Sequence, residues 1–150
     1  MISSLNNIGR SRQQVVIMGC GRLGASVATE LAQVGNTLHI LDLNPANFDR
    51  LPAELINDGT VTPIVGDGTL EEDLRRAAIE DAEVFIALSG RDTRNALAAQ
   101  IAQHIFEVPT VVCRMNDITR KEMYEELGLT AISPIKIVTQ MVVEAAQARV

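Results

Sequence analysis

The chain has 150 residues, 47% of them apolar and 3% aromatic, with two cysteines and a formal net charge of −6. That length holds one domain, able to bury about 70% of the surface its unfolded chain exposes without needing a disulfide or metal. The acidic balance argues against broad nucleic-acid binding, which neutralises phosphates with Lys and Arg, but not against a small anionic ligand, because local charge departs from net charge.

Residues 1–13 read as a flexible polar leader, and residues 14–150 as one folded unit. The leader has no apolar stretch of signal-peptide type, and no run reaches the ~18–20 apolar residues of a membrane span. The expectation is a cytoplasmic chain with no direct membrane insertion, linked to a membrane only through a partner. Cys20 and Cys113 stand far apart without ligand spacing, so free thiols are expected rather than a disulfide or a zinc site.

Val15 to Met18 is a short apolar run bounded by glycine, as in a strand buried on both faces. Leu23, Val27, Leu31 and Val34 follow at helical spacing, and Gly35-Asn36 stops that helix. A second strand holds Leu38, Ile40 and Leu41 and ends at Asp42. Asn44-Pro45 turns the chain into a short helix to about Leu51. Val61 to Val65 is the third strand, and Gly66-Asp67-Gly68-Thr69 leads into a helix carrying Leu70 and Leu74. Val84 to Leu88 is the fourth strand, broken by Ser89-Gly90, and Leu97, Ile101 and Ile105 mark the next helix. Thr110 to Cys113 is the fifth strand, Ile118 to Leu127 a helix ended by Gly128, and Ala131-Ile132 a short sixth strand. From Pro134, with Ser133 as N-cap, a last helix runs to Val150.

Strands alternating with helices predict an α/β domain: a Rossmann-type parallel sheet with helices on both faces. Ligands of such sheets bind beyond the carboxyl ends of the strands, near the switch in strand order. The loops to watch follow Met18, Asp42, Val65, Leu88 and Cys113.

Gly19-Cys20-Gly21-Arg22-Leu23-Gly24 is a G-x-G-x-x-G between a strand and a helix, a weak pattern alone and a specific one in this setting. Gly19 permits the tight turn, Gly21 lets the backbone approach a pyrophosphate, and Gly24 lets the helix lie against the strand. The helix N-terminus offers unpaired N–H groups to phosphate. The bland alternative is a glycine turn without a ligand. Asp42 ends the second strand 23 residues after Gly19, where a ribose-binding acid is expected. It would repel a 2′-phosphate, which favours NAD or an adenosine phosphate over NADP; otherwise it is a solvated turn aspartate. Arg22 sits where the helix dipole disfavours a cation, which makes sense beside an anion. Asp67 could bond an adenine amino group or cap the next helix, and Thr69 could cap it too. Arg91, Arg94 and Arg114 also fall on the loops at this mouth. His39, His104, Tyr124 and Ser89 form no catalytic set: each histidine maps away from the mouth, and Ser89 has no neighbouring His or Lys to activate it. No catalytic residue is therefore assigned.

In order, these pieces resemble the N-terminal lobe of the RCK family, also called the TrkA-N or KTN domain, which regulates potassium conductance. The resemblance runs from about Gln14 to the end. It is carried by the glycine loop, Leu41-Asp42, Gly66 to Thr69, Ala87-Leu88-Ser89 with Asn95, Arg114 to Asp117, and Ile132-Ser133-Pro134. It implies a regulatory rather than catalytic domain that binds NAD(H), ATP, ADP or AMP. It further implies a homodimer or larger ring acting on a membrane potassium channel, transporter or antiporter. By the same resemblance Gly19, Gly21, Arg22 and Gly24 hold phosphates and Asp42 holds the ribose, with Cys20, Leu23 and Leu43 counted among the cofactor-binding residues. Asp67, Gly68 and Thr69 lie near the adenine, with Ala87, Leu88 and Ser89 on the other side. Arg114 lies close to the ligand or the dimer seam. Arg91 and Arg94 depart from the family, where that loop is commonly acidic or neutral. The smaller C-terminal lobe usual in the family does not follow, and the last helix corresponds to its crossover helix. That helix carries an apolar stripe of Val138, Met141, Val142, Ala145 and Ala146, which either packs on its own sheet or forms a dimer seam. The competing functional reading is the cofactor-binding fragment of an NAD-dependent oxidoreductase.

Overall fold

The computed structural model describes residues 12–148. Most of the expected leader and the last two positions of the expected final helix lie outside the described residues.

The strands are β1 (Gln14–Met18), β2 (Thr37–Asp42), β3 (Val61–Val65), β4 (Val84–Ala87), β5 (Thr110–Arg114) and β6 (Thr130–Ile132). The helices are α1 (Arg22–Gln33), α2 (Ala53–Asn57), α3 (Glu71–Arg76), α4 (Asp92–Gln100), α5 (Ile118–Glu126) and α6 (Pro134–Gln147). Single 3₁₀ segments at Pro45–Arg50 and Ile79–Asp81 and a π-helical turn at Ile101–Ile105 complete the described elements. The six strands form one sheet in the order β3-β2-β1-β4-β5-β6, every pair parallel. The order reverses between β1 and β4, so the crevice at their carboxyl ends is where such a sheet binds ligands.

Side chains alternate across each strand, which explains the unbroken apolar run of β1. Val15 and Ile17 enter one core with Ala25, Ala28 and Ala32 of α1, Leu38, Ile40 and Val61. Phe48, Leu55 and Ile56 close that face over β1–β3. Val16 and Met18 enter the opposite core with Leu74, Phe85, Cys113 and Met115, beneath Ala96, Ala98, Ala99 and Ala102. Tyr124 of α5 packs on this second face.

Three expectations need correction. The five-residue α2 has no apolar periodicity of its own and is entered through Pro52 after the 3₁₀ segment, so propensity alone does not announce it. The apolar stripes expected to face the core in the first and fourth helices do not do so fully. Leu23 and Val34 are exposed, as are Leu97 and Ile105, while the alanines of both helices are buried. Helices pressed this close to the sheet leave room for a methyl group and not for a leucine. The final helix ends at Gln147 rather than running on to Val150, and the described chain leaves it in extended conformation at Ala148.

The last helix resolves its own alternative. Ser133 caps it as expected, its hydroxyl accepting from the Lys136 N–H at 3.2 Å, with Pro134 in the first turn. No residue of α6 is buried, and none joins either core. It does not pack on its own sheet.

Candidate nucleotide-binding site

The glycine loop is built by contacts that only glycine allows at two of its three positions. Gly19 has φ +106°, and a Cβ there would sit 2.9 Å from the Leu88 carbonyl group and the Ser89 nitrogen. A Cβ on Gly24 would sit 1.8 Å from the Gly19 oxygen, so α1 can rest on the loop only without one. Gly21 differs: a Cβ there would meet nothing within 4 Å, and its φ is −73°. No contact inside the described chain requires a glycine at that position. An added methyl group would enter open space at a residue that lines a cleft.

That cleft has a volume of about 640 Å³ and crosses the switch point. Gly19, Gly21, Arg22 and Leu23 form its floor at the start of α1. Asp42, Leu43, Asn47 and Gly68 bound one side; Leu88, Ser89, Gly90, Arg114 and Pro134 bound the other. Gly21 is the N-cap of α1, no side chain caps that end, and its first turn holds no acid. Its N–H groups are therefore left to whatever fills the cleft, with the positive end of the helix dipole behind them.

Asp42 is committed to the protein through both carboxylate oxygens. Its Oδ2 accepts the Cys20 N–H at 2.8 Å, tying the glycine loop to the end of β2. Its Oδ1 accepts the Asn44 N–H at 2.8 Å and the Asn47 amide at 3.0 Å. The carboxylate is neither the solvated turn residue nor an uncommitted acceptor. A carboxylate offers about four acceptor positions, so one further hydroxyl fits beside these donors, and a two-hydroxyl grip requires one of them to let go. Asn47 had no signal in the sequence, because it acts through a 3₁₀ turn rather than a motif.

Cys20, Gly24 and Ala87 are buried behind the cleft wall. The Cys20 Sγ donates to the Asn47 oxygen at 3.5 Å. Burial pushes the Cys20 thiol up to about 11, with nearby Asp42 raising it further and Arg50 partly offsetting. Burial, helped by Asp92, does the same to Cys113, also to about 11. Both are free thiols and stay protonated at neutral pH.

Asp67 and Thr69 also stand behind the wall, and neither caps α3, whose N-cap is Leu70 without a side-chain bond. Instead Asp67 Oδ1 accepts the Thr69 N–H at 2.9 Å and the Thr69 hydroxyl at 2.6 Å, closing a local turn. The same oxygen pairs with Arg94 Nη2 at 2.7 Å. Partial burial works to raise the Asp67 carboxyl, but the bonds from Thr69 and Arg94 together outweigh it and hold it below its ordinary value.

Of the four arginines expected at the mouth, Arg22, Arg94 and Arg114 line the cleft and Arg91 does not. A buried asparagine holds the far wall. Asn95 Oδ1 accepts from the Ser89 N–H at 2.9 Å and its hydroxyl at 2.7 Å. Asn95 Nδ2 donates to the Ser89 and Arg114 carbonyls, each at 3.0 Å. All four of its bonds are made, and they fix the β4 and β5 loops to each other. His104 is exposed, and His39 lies half-buried within β2, where burial lowers its pKa and keeps it neutral. Neither lines the cleft. Among the described residues no cluster of His, Cys, Asp and Glu fits a metal ion, and no helix is long and apolar enough to cross a membrane.

The family model for the TrkA-N domain matches residues 15–134. The Trk system potassium uptake protein TrkA of Streptomyces coelicolor is 36% identical over 122 residues, covering 81% of this chain and 53% of that protein. A TrkA homolog of Pyrococcus abyssi is 34% identical over 113 residues, covering 75% of this chain and 48% of that one. The chain thus spans about half the length of these relatives. Among solved structures, the TrkA-N domain of inner membrane protein ybaL from Escherichia coli superposes with a TM-score of 0.76 at 17% identity, covering 90% of this chain and 97% of that one. The Kef CTD of Shewanella denitrificans in its AMP-bound form gives 0.71 at 23% identity, covering 89% and 79%. GsuK bound to ADP gives 0.73 at 20% identity, covering 90% and 34%.

Proposed function

The chain belongs to the TrkA-N domain family, and from that premise we propose that it senses NAD(H) or an adenine nucleotide and thereby regulates a potassium channel or transporter. The observation that carries the reading is Gly21: a glycine with no internal reason to be one, at an uncapped helix N-terminus, on the floor of a cleft lined by three arginines. Two structural neighbours are described with AMP and ADP, which supports the adenine nucleotide class.

In this reading the phosphates lie on the backbone of Gly19 to Gly24 and on the Arg22 guanidinium. One ribose hydroxyl reaches Asp42 beside Leu43. The base lies toward Gly68, with Asp67 and Thr69 stiffening that loop from behind. Ala87 shapes the opposite wall from within β4, while Leu88, Ser89 and Arg114 meet the remainder of the ligand. Regulation is by differential binding: two chains pair through α6, and the nucleotide that fits one arrangement better shifts the population toward it. That shift is passed to the membrane partner.

Isothermal titration with NAD, NADH, AMP, ADP and ATP tests the reading. Saturable binding by at least one is expected, and the rank order names the ligand. No binding by any of them would overturn it.

A further inference from the structure

Arg94 lies in the first turn of α4, where the helix dipole disfavours a cation. Its partner Asp67 comes from the loop after β3, 27 residues away in sequence. The pair is not a flexible surface contact: the side chains are 30% and 23% exposed. Asp67 is held independently of Arg94. Thr69 closes the turn on its carboxylate, and its own N–H donates to Asp73 Oδ2 at 2.8 Å. Only Nη2 of Arg94 is engaged; among the described residues Nε and Nη1 make no hydrogen bond. The guanidinium therefore has one corner anchored to a rigid carboxylate and donors to spare, on a side chain that lines the cleft.

The charge around the cleft points the same way. Its lining holds three cations, Arg22, Arg94 and Arg114, and one carboxylate, Asp42. That carboxylate already accepts from three donors. Asp67 offsets the charge of Arg94, but Arg22 and Arg114 have no carboxylate partner among the described residues, and a polyanion seated between the three arginines relieves their mutual repulsion. A neutral ligand portion would gain nothing from the arrangement.

We propose that Arg94, positioned by Asp67, reads the phosphates of the bound nucleotide and makes affinity rise with their number. The inference rests on the nucleotide reading given above and assigns Arg94 a contact with ligand phosphate. Asp67 acts through Arg94 as a positioning residue.

The test titrates adenosine, AMP, ADP and ATP at fixed ionic strength into the wild type, Arg94→Gln, Arg94→Lys and Asp67→Asn. In the wild type affinity rises from adenosine to ATP. Arg94→Gln weakens ADP and ATP about tenfold, as expected for a lost charge-assisted bond, and leaves adenosine unchanged. Arg94→Lys keeps the charge but loses the fork, so it recovers part of the ATP affinity; it also serves if Arg94→Gln does not fold. Asp67→Asn shows the same phosphate-dependent loss, smaller because the cation stays. An Arg94→Gln profile equal to wild type would overturn the proposal and leave the nucleotide reading standing. So would a loss equal for adenosine and ATP, which marks a purely structural role. A wild type that binds none of the four would overturn the proposal, and failure of NAD and NADH as well would overturn both.

Discussion

The two halves of the sheet are finished differently. Over β1–β3 the chain's own helices lie on both faces, although Val65 at the end of β3 is 50% exposed, and the loops are tied together through Asp42. Over β4–β6 one face is covered by α4 and α5, while Ile132 of β6 is 43% exposed and α6 reaches neither core. Ile135, Val138, Met141 and Val142 present an apolar surface, with Met141 63% and Val142 60% exposed. The half with helices on both faces carries the glycine loop. The other half carries an exposed apolar helix face, a feature that is rare on surfaces left to solvent.

The comparison can be broken most severely at Gly24. A Cβ 1.8 Å from the Gly19 oxygen forces α1 away from the loop. Gly24→Ala should lower stability by about 3 kcal/mol or more, at or beyond the top of the range for overpacked sites. Urea unfolding followed by circular dichroism checks this, and a loss below about 1 kcal/mol would mean the helix does not depend on that close approach. A milder and opposite effect is expected in α6. At a concentration where the wild type is monomeric, Met141→Glu combined with Val142→Lys should leave the unfolding midpoint within experimental scatter, because neither side chain touches the cores. At higher concentration the wild type should sediment as a dimer and the double variant as a monomer. A large loss of stability in the monomer would place α6 on its own sheet after all.

The phosphate-loop half was the more legible in the sequence, for a physical reason. Gly19, Gly21 and Gly24 act within six residues, and strand and helix signals flank them directly. Asp42 was found by its spacing, but not its three donors, since Asn47 reaches it through a turn that carries no motif. The capping role weighed for Asp67 and Thr69 failed because they bond to each other and to Arg94. That long-range pair has no periodicity to betray it. The helix faces were misread where leucines were expected inward. Packing distance, set by Gly24 in α1, favoured alanines, and nothing local to Leu23 or Leu97 reports that distance. Asn95 was noticed only through family resemblance. Its work of joining Ser89 to Arg114 depends on the pairing of β4 with β5.

The central claim is that the cleft over Gly21 is kept open for a nucleotide, and Gly21→Ala tests it most directly. An Asp42→Ala variant would remove three structural hydrogen bonds along with any ligand contact, whereas a methyl group at Gly21 meets no protein atom within 4 Å. The measurement is thermal melting of wild type and Gly21→Ala, each alone and with saturating ADP or NAD. The account predicts that without nucleotide the variant melts no more than a few degrees lower, as an N-cap Gly→Ala exchange costs, with a rise for the wild type on adding at least one nucleotide and no rise for the variant. An equal rise in both proteins would contradict it, because the space above Gly21 would then not be where the nucleotide sits.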